Sequence, residues 1–160
     1  MRIIHQTAVI GPNVTIEDNV YIGPLCFIGS SPEWKGREAD NKGVIIRSGS
    51  RLTGLVTVDG GADRITEIGP DCYLMKHSHV GHDAILGKGV TVSCGAKIGG
   101  HTEIGEFTNI GLNAVLHQKL KVPGGCMIGM GAVVTKKTDL QTGMKYAGNP
   151  ARLLGENIRP

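Results

Sequence analysis

The chain has 160 residues, a length that suits one domain with a continuous core. Its net charge of +3 is modest, and its Lys and Arg residues are scattered rather than gathered in a basic run with interleaved aromatics. That pattern argues against a nucleic-acid binder and suits a phosphate-bearing ligand better. No apolar stretch reaches membrane length and the N-terminus lacks the design of a signal peptide, so we expect a cytoplasmic protein without a membrane span.

An aliphatic residue recurs every six positions through most of the chain. The residue four places after it is also restricted, usually to a small side chain, and glycine often follows the aliphatic. Two inward positions in six describe a short strand followed by a tight corner, and such short units bury their apolar faces only by stacking on their neighbours. Three strands close one triangular coil, so the sequence predicts a solenoid. The repeat is continuous at Ile68, Leu74, Val80, Leu86, Val92, Ile98, Ile104, Ile110, Leu116, Val122, Ile128 and Val134.

The same period begins upstream at Ile10 and is interrupted twice. Residues 30–43 are polar and rich in turn formers, which predicts a loop that protrudes from one corner. Near residues 62–67 the frame shifts, which predicts an insertion. Trp34 in the protruding loop is a candidate for ligand contact, and packing against the protein's own surface explains it equally well.

Beyond residue 135 the repeat stops. We therefore divide the chain into a solenoid domain of residues 1–135 and a C-terminal capping tail of residues 136–160. The segment that starts at Pro150 predicts a short terminal helix over the open edge of the last coil.

Three of the four cysteines, Cys26, Cys72 and Cys126, fall on the small inward position of the repeat. Cys94 does not pair with them by spacing. We expect core thiols rather than disulfides, and hence a reducing compartment.

Five of the six histidines cluster in the middle of the repeat. The frame places His82, His101 and His117 just after strands that stack on one face, within about 10 Å of height. His79 ends the preceding unit and approaches the same edge, and none of the four points inward. Imidazoles suit proton transfer near neutral pH, and Asp83 is the nearest group to hold the second ring nitrogen of His82.

The six-residue period resembles that of the hexapeptide-repeat acyltransferases, whose fold is a left-handed parallel β-helix. The general preference for right-handed crossovers predicts the opposite hand, so the left-handedness is implied by the resemblance alone. The expected fold class is all-β: a left-handed parallel β-helix of hexapeptide repeats with a protruding loop and a short C-terminal tail or helix.

The segment "LMKHSHVGHDAILG" is similar to the active-site stretch of the UDP-N-acetylglucosamine O-acyltransferases of lipid A synthesis. That resemblance implies that His82 is the general base, that Asp83 orients it and that His79 contacts the substrate. The acyl group would pass from an acyl-carrier-protein thioester to a nucleotide-linked amino sugar. Matches at "KIGGHTEIG" and "AVLHQ" add Gly100 as an oxyanion donor, and His101, His117 and Gln118 as substrate-binding residues.

The resemblance implies further residues and partners. Glu33 and Lys35 of the loop and Asn157 of the tail would bind substrate. Met130 would truncate the acyl-chain groove, so we expect a hydroxyacyl group of short to medium length. The family forms trimers with active sites between prisms, so we expect a homotrimer, with no bound cofactor and no metal.

Departures from this family keep other functions open. The chain resembles a shortened form, without the family's long helical C-terminal domain and its paired arginines, and its ending "GNPARLLG" resembles sugar O- and N-acetyltransferases that use acetyl-CoA. Gamma-type carbonic anhydrases share the fold and bind zinc through three histidines. His77 and His82 have the spacing of that class, but Gly87 stands where its pattern needs a histidine. A non-catalytic solenoid would leave the histidine cluster unexplained.

Overall fold

The structure, a computed structural model, describes residues 1–158. Within that range the strands are mostly two residues long, and each pairs with the strands one coil above and below it. They form three sheets, one on each face of a triangular prism. The predicted left-handed parallel β-helix is confirmed.

The first sheet contains β1 (Ile3–Ile4), β4 (Tyr21–Ile22), β7 (Arg51–Leu52), β10 (Tyr73–Leu74), β13 (Thr91–Val92), β16 (Asn109–Ile110), β19 (Met127–Ile128), β21 (Met144–Ala147) and β22 (Arg152–Glu156). The second contains β2 (Val9–Ile10), β5 (Phe27–Ser30), β8 (Thr57–Asp59), β11 (His79–Val80), β14 (Lys97–Ile98), β17 (Val115–Leu116) and β20 (Val133–Val134). The third contains β3 (Val14–Ile16), β6 (Val44–Ile46), β9 (Thr66–Ile68), β12 (Ile85–Leu86), β15 (Glu103–Ile104) and β18 (Lys121–Val122).

The core follows the six-residue period. All twelve aliphatic positions of the continuous repeat are buried, at 3% exposure or less. Val80, Ile98 and Leu116 pair in register from coil to coil, so like positions stack in columns. The smaller inward residues of the same units are buried too, which confirms the repeat frame.

The cysteines lie as the frame predicts. Among residues 1–158 all four are free, and Cys26, Cys72 and Cys126 are buried in the core. Burial raises the pKa of the Cys72 thiol to about 12, which suppresses its thiolate and its reactivity.

The C-terminal segment corrects one prediction. Up to residue 158 the helix expected from Pro150 does not form: residues 152–156 form β22, which pairs antiparallel with β21, and β21 extends the first sheet beyond β19. A last coil leaves unpaired backbone groups at its edge, and a strand pairs with that edge whereas a helix cannot.

Both interruptions of the repeat leave the prism at the same corner. The protruding loop, residues 31–43, joins β5 to β6, and residues 60–65 join β8 to β9. In the coils that follow, the same corner is formed by residues 81–84, 99–102 and 117–120. The corner between the second and third sheets therefore carries the loop, the insertion and the histidines together.

Residues 1–158 contain no helix long and apolar enough to cross a membrane. The division at residue 135 stays a prediction, and the last two residues of the predicted tail lie outside the described range.

Candidate active site

His82 and Asp83 form a buried hydrogen-bonded pair at the corner. Nδ1 of His82 lies 2.6 Å from Oδ2 of Asp83. Because an ionised carboxylate only accepts hydrogen bonds, Nδ1 carries the proton and donates it to Asp83. Nε2 then holds a lone pair, and among residues 1–158 it has no hydrogen-bond partner. This is the tautomer that a general base requires.

The insertion holds the carboxylate of Asp83. The backbone N–H groups of Ala62, Asp63 and Arg64 donate to it over 2.7–3.1 Å, and its side chain is fully buried. Burial acts most strongly on the pKa of Asp83 and raises it, but the hydrogen bonds from Arg64, His82, Ala62 and Asp63 together outweigh burial, so the pKa lies below its ordinary value. Asp83 therefore remains ionised at neutral pH.

His101 lies against the same pair from the next coil. Its ring stands edge-on to that of His82, with centroids 5.2 Å apart. Its Nε2 is buried without a hydrogen-bond partner in the described residues, 3.4 Å from Oδ2 of Asp83. Burial is the main cause that lowers the pKa of His101, so this ring is neutral at pH 7.

Trp34 of the protruding loop covers both imidazoles. Its ring is stacked on that of His82, with centroids 5.3 Å apart and planes inclined by 30°, and it meets His101 edge-on at 5.7 Å. A cavity of about 250 Å³ opens beside these three rings. Its other lining residues are Glu33, Lys35, Gln118 and Lys119.

His79 lies beside this cluster in β11 and belongs to a separate polar group. Its Nδ1 is 2.8 Å from Oγ1 of Thr57, and its Nε2 is 3.7 Å from Oδ2 of Asp59. Burial, followed by the charge of Glu33, raises the pKa of Asp59 to about 7. Burial and then the charge of Lys97 lower the pKa of His79, so its imidazole is neutral near pH 7.

Gly100 follows strand β14 at the position that His82 occupies one coil earlier. A Cβ at Gly100 would lie 2.7 Å from Nε2 of His82, so only glycine leaves space for the imidazole and a ligand. Its N–H has no acceptor within residues 1–158. A free backbone donor therefore lies beside the free lone pair of the candidate base.

The structure gathers only part of the predicted site in one chain. Glu33, Lys35 and Gln118 line the cavity with His82 and His101. His117 is exposed at the edge of the cluster and directs its Nδ1 to the backbone oxygen of Gln118, 3.0 Å away. Asn157 lies on a different face, beside Phe107 and Met127. Met130 is 74% exposed at the corner between the first and second sheets.

A metal ion fits the cluster poorly. Ligand atoms of His82, Asp83 and His101 lie within 4.8 Å of one another. The carboxylate, however, already accepts three backbone N–H groups and the proton of His82, so its lone-pair sites are filled. His77, which the carbonic anhydrase pattern would need, lies at another corner, between β10 and β11. The donor set is that of a hydrogen-bonded His82–Asp83 pair with a third imidazole beside it.

Sequence reasoning missed several residues of the site. Asp59, Asp63 and Lys119 follow no motif, and Arg37 is one of several charges in a polar loop. A repeat frame gives a weak signal for Lys119, because it places that residue at the same corner position as Asp83 and His101. The others depend on how the two interruptions fold.

Comparison with known proteins agrees with this architecture. Residues 65–100 match the family described as bacterial transferase hexapeptide (six repeats). The acyl-(acyl-carrier-protein)–UDP-N-acetylglucosamine O-acyltransferase of Campylobacter concisus (strain 13826) is 29% identical over 141 residues, which cover 78% of this chain and 54% of that protein. The enzyme of the same name from Burkholderia orbicola (strain MC0-3) is 28% identical over 145 residues, which cover 89% and 54%. The chain thus spans about half the length of the curated relatives it matches.

Solved structures give the same result. The crystal structure of a UDP-N-acetylglucosamine acyltransferase from Bacteroides fragilis 9343 is 26% identical, with a TM-score of 0.80 over 98% of this chain and 73% of that one. Fold and repeat define a hexapeptide-repeat protein built on the left-handed β-helix. Within that class the chain resembles the UDP-N-acetylglucosamine O-acyltransferases, as its histidine motifs predicted.

Proposed function

We propose that the chain is an acyltransferase in which His82 is the general base. The single observation that carries the proposal is the pairing of His82 with Asp83, which leaves Nε2 unprotonated next to the free N–H of Gly100 and a cavity. Base, orienting carboxylate and oxyanion donor are the three parts that acyl transfer needs.

The reaction follows from these positions. Nε2 of His82 takes the proton of an acceptor hydroxyl while the hydroxyl oxygen attacks the carbonyl carbon of a thioester. The N–H of Gly100 donates to the oxyanion of the tetrahedral intermediate. Collapse of the intermediate breaks the C–S bond, and the imidazolium returns its proton to the leaving thiolate. Asp83 stabilises the imidazolium in between, because its carboxylate is ionised and 2.6 Å from Nδ1.

We propose an acyl-carrier-protein thioester as donor and a nucleotide-linked amino sugar such as UDP-N-acetylglucosamine as acceptor. The names of the curated relatives support this choice, and so does the chemistry of the cavity. Lys35 and Lys119 at the cavity provide positive charge for phosphate groups, while Gln118 and His101 offer polar contacts for sugar hydroxyls. No bound cofactor is required by this mechanism.

We further propose a homotrimer, with each site completed by a neighbouring prism. Asn157 and Met130, which the family resemblance assigns to the site, do not line the His82 cavity of their own chain, so a second copy would have to bring them there. Exposed apolar side chains on the second sheet, including Val9, Phe27 and Val115, offer a surface for such packing. Light scattering should give about 51 kDa, three times the 16.9 kDa protomer; a protomer mass would contradict the proposal. The buried free thiols favour the cytoplasm.

The test of the function measures release of free thiol. Purified protein is incubated with UDP-N-acetylglucosamine and either hydroxyacyl-acyl-carrier protein or acetyl-CoA. We expect turnover with the carrier-protein thioester and its loss in His82→Gln. Turnover with acetyl-CoA alone would transfer the assignment to the sugar acetyltransferases. A separate assay with acyl-carrier-protein thioesters of different chain lengths tests Met130: if this residue limits the acyl-chain groove, Met130→Gly should prefer longer acyl groups than the wild type.

A further inference from the structure

The two interruptions of the repeat converge on the candidate base. Trp34 comes from the protruding loop and lies on the face of the His82 ring. Ala62 and Asp63 come from the insertion and hold the carboxylate that binds the same ring. Both segments leave the regular coil at this corner: the insertion does so one coil before the coil that carries His82, and the protruding loop does so two coils before it.

A continuous series of contacts runs from Asp83 through both segments to Trp34 and back to the imidazole of His82. Asp83 accepts the N–H of Asp63 at 2.8 Å, and the carboxylate of Asp63 binds Arg37 at 3.0 Å. The guanidinium of Arg37 lies over the ring of Trp34, 4.8 Å from its centroid. Trp34 in turn stacks on His82, whose Nδ1 returns to Asp83. Arg37 thus holds the indole from its outer side, and the imidazole supports it from the inner side.

The direction of the stack leaves the base functional. Trp34 covers one face of the His82 ring, whereas the lone pair of Nε2 lies in the ring plane and points past the indole. Rotation about the bond from Cβ to the ring would carry Nε2 away from Gly100, and a flat ring packed on the face opposes that rotation. The side chain of His82 is only 10% exposed, so the contact also keeps water from the ring.

We propose that Trp34 is a positioning residue for the acyl transfer: it fixes the plane of the His82 imidazole so that Nε2 points at the cavity, and Arg37 keeps the indole in place. This inference rests on the proposed function for its kinetic consequence, whereas the contact itself is a property of the folded chain. Trp34 also forms a wall of the cavity, where it limits the space open to the acceptor.

The kinetic test compares Trp34→Ala with Trp34→Phe. Loss of the stack should lower kcat by about 10- to 100-fold and change KM by less than about threefold, because the base is misaligned while the polar lining residues Lys35, Gln118 and Lys119 remain and only one wall of the cavity is lost. Phenylalanine keeps a flat ring and should restore most of kcat. Arg37→Met should give an intermediate loss. Arg51→Met is the matched control, since Arg51 makes the same kind of contact with Tyr21 at 4.7 Å on the first sheet.

Fluorescence tests the contact without any substrate. Trp34 is the single tryptophan of the chain, so the emission reports on this position alone. The indole packs on the His82 ring, so at a fixed pH His82→Gln should expose it to water and shift its emission maximum to longer wavelength. Arg51→Met, which is remote from Trp34, should leave the emission maximum unchanged.

The outcomes separate the two proposals. Loss of kcat in Trp34→Ala with recovery in Trp34→Phe supports the positioning role, and wild-type kcat in Trp34→Ala overturns it. An emission maximum that is unchanged in His82→Gln also overturns it. If the wild type turns over neither donor, the proposed function fails, while a His82-dependent emission still supports the placement of Trp34 on the imidazole.

Discussion

Replacement of Asp83 by Asn tests the orienting pair most sharply. An asparagine keeps one oxygen, which can still accept the N–H groups of Asp63 and Arg64. The second oxygen, which accepts from Ala62 and His82, becomes an NH2 group. The amide then donates to Nδ1 of His82, which moves the imidazole proton to Nε2 and removes the lone pair that the base needs.

Two magnitudes follow from this geometry. The buried N–H of Ala62 loses its acceptor, at a cost of about 2 kcal/mol in the free energy of unfolding. For a chain of this length that loss lowers Tm by roughly 4–8 °C. The wrong imidazole tautomer lowers kcat by about 10²- to 10⁴-fold, the range typical of base catalysis and its orienting carboxylate.

The assay pairs thermal unfolding followed by circular dichroism with thiol release from the acyl donor. Asp71→Asn is the matched control, because Asp71 has the same left-handed backbone, with φ of 56° against 62° for Asp83, but is exposed. Asn adopts that conformation readily, so the control removes any backbone effect. An Asp83→Asn variant with the wild-type Tm and kcat would refute the role of the pair.

Three further predictions test other parts of the account. Gly100→Ala places a Cβ 2.7 Å from Nε2 of His82 and should lower kcat by at least about tenfold with a small change in Tm, and wild-type kcat would contradict the crowding. Asp59 has a pKa raised to about 7 in the folded protein. The stability that this carboxyl group contributes in its protonated form is fully present below about pH 4 and is lost as the pH rises through about 7. Tm should therefore fall less between pH 5 and pH 8 in Asp59→Asn than in the wild type. Leu116→Ala should cost about 2–5 kcal/mol in urea unfolding, whereas Lys121→Ala, on the exposed side of the next strand, β18, should cost less than about 0.5 kcal/mol, and equal costs would contradict the inward frame.

The fold was predictable because the six-residue period of aliphatic side chains follows directly from the stacking of short strands. A coil of three short strands must place the same kind of side chain at the same position in each turn, so the columns through Val80, Ile98 and Leu116 follow directly from the sequence. The same arithmetic brought His82 and His101 to one corner, where the structure has them in contact. The handedness needed the family resemblance, since no local rule in the chain favours it.

The remaining features depend on non-repetitive segments. Whether Trp34 packs on the site or points to water is decided by Arg37 and Asp63, whose contact joins two segments far apart in sequence. The prediction of a helix after Pro150 was wrong. Helix-start signals carry no information about the open edge of the sheet that contains β19 and β21, and this edge pairs with the strand β22. Asp59 carried no sequence signal, because its raised pKa comes from burial beneath the loop and from the charge of Glu33.

The most direct test of the central claim is single-turnover thiol release from hydroxyacyl-acyl-carrier protein with UDP-N-acetylglucosamine, in the wild type and in His82→Gln. The account predicts acyl transfer in the wild type and a rate lower by about 10²- to 10⁴-fold in the variant, with the fold intact by circular dichroism. Equal rates in the two proteins would show that His82 is not the base and would contradict the account.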